Sequence, residues 1–155
     1  MTSLAKPRRK RMAAPPFSPM RAIEDLHGLP EGVRVVLPWP PAGLNPNRRH
    51  AHPTHKARIA AGYRRECWAL ALERFGTHGR RGFLPEGGRI AVRLDFYPPT
   101  RAKRDDDNCE AMFKAGRDGV AEALKIDDGR FVVTRRLHSE PRGCVVMTFT
   151  GERAA

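Results

Sequence analysis

The sequence predicts an α+β domain with the order β-α-β-α-β-β, a mixed sheet packed with two main helices. Three observations support this. The chain has 155 residues, 40% hydrophobic and 30% charged, enough for one buried core and too apolar for a disordered chain. Residues 90–97 alternate apolar and polar in the period of a strand, and two longer segments carry apolar residues at helical spacing. Two further strand-like segments close the chain, and a mixed order ending in a hairpin favours helices gathered on a sheet. No internal repeat is present.

Residues 1–31 carry Pro7, Pro15, Pro16, Pro19 and Pro30, and the first 23 hold six basic residues and no acidic one. They read as a disordered basic arm able to touch phosphates. The domain is placed at 32–151, with a tail at 152–155. Val33-Arg34-Val35-Val36-Leu37 is a β-branched run stopped by Pro38-Trp39-Pro40-Pro41. A Gly/Asn/Pro loop follows, and from Thr54, a candidate N-cap, a helix runs to Phe75 through Ile59, Tyr63, Cys67, Leu70 and Ala71. After a Gly-rich loop over 76–88, Ile90, Val92, Leu94 and Phe96 mark a strand with one buried face. Asp95 lies on its polar side. The second helix spans about 107–124. Strands over about 130–138 and 143–150 are joined by a turn at Ser139–Gly143.

Lys plus Arg number 29 against 17 acidic residues, a formal net charge of +12. That balance favours phosphate-rich partners, nucleic acid above all. The stretch from Arg48 to Arg81 holds nine basic residues and two acidic ones, and forms the candidate phosphate-tracking surface. Arg48, Arg49, Lys56 and Arg58 surround His50, His52 and His55 there. The histidine spacing fits no zinc pair, so a basic DNA-contacting loop is the reading. Cys67, Cys109 and Cys144 show no metal spacing and read as thiols of a cytoplasmic protein. No apolar run is long enough for a membrane span.

Against this basic background stand Asp105, Asp106 and Asp107. Three adjacent carboxylates repel one another unless they are spread in water or held by something positive. On a helical wheel Lys114 and Asp118 fall within about 20° of Asp107, so these three form a polar seam opposite Cys109, Met112, Gly116, Val120 and Ala123. Side chains lean toward a helix N-terminus, so Lys114 is expected to reach back toward Asp105 and Asp107. Arg117 and Glu110 read as solvent charges. Asp107 with Glu110 also matches a capping box, which accounts for one Asp and one Glu but not for the crowding. Oxygen-only ligands suit Mg²⁺, or Mn²⁺, which one or two carboxylates hold together with water and a substrate phosphate. Asp105 and Asp107 are the first candidate ligands, with Asp128 or Asp127 completing the set when the hairpin folds back. Lys114 would stabilise developing negative charge.

The stretch Arg104-Asp105-Asp106-Asp107-Asn108, then Lys114, then Asp127-Asp128, resembles the RusA-type Holliday junction resolvases. So does Leu37-Pro38-Trp39-Pro40-Pro41 followed by Asn45-Pro46-Asn47-Arg48, and the resemblance covers about 33–150. It implies a homodimeric, Mg²⁺-dependent crossover junction endodeoxyribonuclease that binds four-way DNA and nicks two strands symmetrically. By motif position it makes Asp105, Asp107 and Asp128 the essential carboxylates and Lys114 the essential lysine. In better-known members that lysine follows the second aspartate by one helical turn, where Ala111 stands here. Asn45, Lys103 and Arg104 join the basic loop as candidate DNA contacts. Trp39 and Trp68 read as core rather than base-stacking residues. The contrasting expectation is a non-catalytic basic DNA-binding protein of the same fold, whose aspartates cap a helix.

Overall fold

The computed structural model describes residues 16–76 and 82–151, so the first 15 residues of the basic arm and the tail lie outside the described residues. The elements are α1 (Pro19–Ala22), β1 (Val33–Pro38), α2 (Pro53–Phe75), β2 (Ile90–Tyr97), α3 (Asp106–Leu124), β3 (Phe131–Leu137) and β4 (Cys144–Phe149). Single 3₁₀ turns at Ala42–Leu44 and Asp128–Arg130 complete the described chain. The domain is α+β as expected, and α2 and α3 pack on each other over one face of a four-stranded mixed sheet.

The sheet order is β1-β4-β2-β3, with β2 and β3 parallel and β4 antiparallel to both β1 and β2. The expected terminal hairpin therefore does not form, because β2 lies between β3 and β4. Burial explains why. Every residue of Cys144–Phe149 is buried, so β4 needs neighbours on both sides. Thr134, Arg135 and Arg136 of β3 are exposed, and charged residues suit an edge strand. The chain leaves β2, crosses through α3 and returns as β3 alongside it, which carries β3 past the start of α3.

The core between helices and sheet holds Leu37, Leu94, Phe96, Phe113, Leu124 and Met147, each 0% exposed. Tyr63 of α2 is buried there and donates a hydrogen bond to the Pro38 carbonyl at 2.7 Å; burial raises its pKa well above the ordinary value. Gly119 marks the closest approach of the helices: a Cβ at this position would run into the Arg64 carbonyl oxygen and lie 3.1 Å from the Trp68 nitrogen. All three cysteines are buried free thiols, and burial pushes Cys67 and Cys144 up to about 12.

Two local starts differ from expectation. Helix α2 begins with Pro53 at its first turn after His52, and the Thr54 hydroxyl meets the His52 ring rather than capping the backbone. Helix α3 is capped by Asp105, not Asp107. The second sheet face is also covered. Phe17, Ala22, Ile23, Leu26 and Leu29, residues assigned by sequence to the arm, pack on Val36, Tyr97, Cys144 and Val146. Asp95 on that face is 0% exposed, so β2 is buried on both faces at this end rather than on one. No described helix is long and apolar enough to cross a membrane.

Candidate active site

Helix α3 starts on Asp105, whose extended backbone places its carboxylate over the first turn, where Oδ1 accepts from the Asp107 nitrogen at 3.1 Å. Asp106 and Asp107 occupy that turn, where the helix dipole favours negative charge. One oxygen from each of Asp105, Asp106 and Asp107 lies within 4.8 Å of the others, and all three residues are exposed. The crowding expected of this run is thus real, and local geometry causes it: a cap followed by the first helical turn gathers the carboxylates on one side.

A residue that sequence reasoning passed over meets them. Arg135, on β3, hydrogen-bonds Asp107 and Glu110 and lies 3.4 Å from Asp106. The hydrogen bond to Glu110 leads the causes that raise the Arg135 pKa. Its signal in the sequence was weak, since the expected β3–β4 hairpin gave β3 no place beside α3. Only the parallel β2–β3 pairing brings Arg135 to the helix start.

Lys114 does not reach back to Asp105 and Asp107. It bonds Asp118 at 3.2 Å and lies 3.8 Å from Asp128. A carboxylate one turn ahead and another on the following 3₁₀ turn are nearer partners, while Arg135 takes Asp107. Nor are Arg117 and Glu110 free solvent charges. Arg117 lies 3.9 Å from both Glu110 and Asp128, and its buried Nε has no partner among the described residues. A chain of alternating charge therefore runs along α3, from Asp107 through Arg135, Glu110, Arg117 and Asp128 to Lys114 and Asp118. Asp127 caps the turn over Asp128–Arg130, its Oδ1 accepting from the Gly129 nitrogen at 2.9 Å. Lys114, Asp118, Asp127 and Asp128 line a recess of about 260 Å³. Asp127 and Asp128 do not join the close group of three.

On the other side of the cap, Lys103, Arg104, Asp105, Asp106, Arg135 and Arg136 line an open groove of about 760 Å³. Arg104 folds onto its own loop, donating to the Thr100 and Ala102 carbonyls at 3.0 and 2.9 Å, and lies 5.6 Å from the Trp39 ring centre. Lys103 is exposed. Of the other candidate contacts, Arg48 and Arg49 in the loop before α2 and Lys56 and Arg58 in its first turns are exposed and in no ion pair among the described residues. Asn45 instead shapes its loop, accepting from the Asn47 nitrogen at 2.9 Å. His50 is tied to the Gly43 carbonyl at 2.7 Å, and Asp95 to Arg93 and His138. Trp39 packs edge-on against Phe96 as core, whereas Trp68 is 37% exposed.

The acidic group fits a hard divalent cation. Its donors are all carboxylate oxygens, crowded and open to water, and such an ion accepts a few carboxylates with water filling the remaining positions.

No family model matches this chain. An uncharacterized protein of Xylella fastidiosa (strain Temecula1 / ATCC 700964) is 42% identical over 135 residues, 86% of this chain and 85% of that protein. The chain belongs to the same family as that protein.

Proposed function

We propose that the protein is a Mg²⁺-dependent endonuclease selective for branched DNA, nicking four-way junctions as its resemblance to the RusA-type resolvases implies. The observation that carries this reading is the single groove in which Asp105 and Asp106 stand beside Lys103, Arg104, Arg135 and Arg136. Phosphodiester hydrolysis needs both kinds of charge at once, anionic oxygens for a cation and basic groups for the substrate phosphate. Asp105, Asp106 and Asp107 would hold Mg²⁺, with Mn²⁺ an acceptable substitute. The bound ion supplies charge neutralisation and an acidified water. Arg135 and Lys103 orient the phosphate over the carboxylates, and Arg48, Arg49, Lys56 and Arg58 draw the flanking backbone by charge. Lys114 and Asp128, paired in the neighbouring charged group, would support this site from beside it without holding the ion. The homodimer is taken from the resemblance, as two symmetric nicks need two sites. A reducing cytoplasm suits three buried thiols.

A second reading, a non-catalytic DNA-binding protein, is favoured by one specific observation: Asp105 caps α3 and Arg135 already offsets part of the acidic charge. Incubation with a synthetic four-way junction and a linear duplex, with Mg²⁺ and with EDTA, separates the readings. The expected result is paired nicks on the junction only, and only with Mg²⁺. Equal cutting of the linear duplex would make it a general nuclease. Binding without any cutting would leave the second reading.

A further inference from the structure

A second charged group lies behind the first, on the sheet face away from the helices. Asp95 is 0% exposed, yet a carboxylate is costly to bury unless it is paired. Its Oδ1 takes Arg93 at 3.0 Å and the His138 Nε2 at 2.7 Å, and its Oδ2 has no partner among the described residues. His138 is correspondingly fixed. Its ring stacks on Tyr97 with centroids 4.2 Å apart and 8° between planes, and its backbone nitrogen donates to the Phe96 carbonyl at 2.9 Å. With Nε2 on Asp95, Nδ1 is the nitrogen left to act.

His138 lines a recess of about 480 Å³ together with Thr100, Arg101, Lys103, Arg104 and Ser139. This recess shares Lys103, Arg104 and Leu137 with the groove of the acidic group, so the two are adjoining compartments. Arg104 braces the wall between them through its three bonds to Thr100 and Ala102, which leaves Arg101 and Lys103 exposed at the rim.

We infer that His138, held by the buried Asp95, forms with Arg101 and Lys103 a second subsite that takes a backbone phosphate of the DNA beside the one to be cut. The inference rests on the reading of the acidic groove as a nuclease site. A ring protonated on both nitrogens can donate to Asp95 on one side and to the phosphate on the other. Asp95 and His138 act here as positioning residues: they set where the strand lies and take no part in bond breaking.

The test is binding of a four-way junction to the full chain in EDTA, alongside the melting temperature. His138→Phe keeps a flat ring on Tyr97 and removes both nitrogens. It is expected to weaken binding about tenfold while leaving a cooperative melt. Where the unpaired Asp95 lowers that melt, the double variant Asp95→Asn/His138→Phe removes the charge as well and is expected to weaken binding by the same factor. Arg101→Ala, at the rim of this recess alone, is expected to flatten the dependence of log Kd on log salt by about 0.9, one phosphate contact. A folded His138→Phe or double variant that binds with wild-type affinity overturns the subsite while the nuclease reading stands. A wild-type chain that binds no DNA overturns both.

Discussion

The two charged groups along α3 differ in balance. At the start of the helix Asp106, Asp107 and Glu110 share Arg135, Arg117 lies 3.9 Å from Glu110, and Asp105 is in no ion pair among the described residues. Further along, Asp118 and Asp128 face Lys114 and Arg117, two against two. Both groups lie largely in the reach of water, so neither adds much to stability as ion pairs. The difference matters for chemistry. The balanced group has no need of a further cation, whereas the first keeps an excess of carboxylate oxygens that an added divalent ion would relieve.

The strongest way to break this comparison is to neutralise one carboxylate in each group. Asp107→Asn is expected to reduce junction nicking at least about a hundredfold, the scale of about 3 kcal/mol of lost charge stabilisation, with binding in EDTA retained or tightened. Asp128→Asn is expected to cost about tenfold or less, because Asp128 orders Lys114 and Arg117. Equal losses in a quantitative nicking assay would make Asp128 a full partner of the first group and erase the distinction.

Arg135→Ala sharpens it next. Without the guanidinium the first group keeps all its negative charge, so Mn²⁺ affinity, read by calorimetry, should rise several-fold. The melting temperature should depend more on added metal than in the wild type. An unchanged affinity would mean that Arg135 and the ion do not compete for these oxygens. The smallest effect is expected for Lys114→Ala. Its pair with Asp118 is exposed and spaced i, i+4, so stability measured by urea unfolding should fall by about 0.5 kcal/mol or less. A nicking loss as large as that of Asp107→Asn would return Lys114 to the centre of the site.

Much of the fold was legible locally. The 3.6-residue rhythm located both long helices, and the alternation over Ile90–Tyr97 located β2, because both patterns depend on near neighbours. The three crowded aspartates were legible for the same reason: cap and first turn lie within three residues. The partners were not. Arg135, Arg117 and His138 meet their carboxylates across 28, 11 and 43 positions of sequence, and no short pattern encodes such pairings.

The sequence by itself determined a basic α+β chain with an acidic knot at the start of its second long helix. Propensity, periodicity and charge act over a few residues and need no knowledge of the whole. Only the tertiary structure decided which cations face that knot. Inserting β2 between β3 and β4 puts Arg135 at the helix start and buries Asp95 against His138, and strand order is set by which strands must be covered on both faces, a property of the assembled sheet.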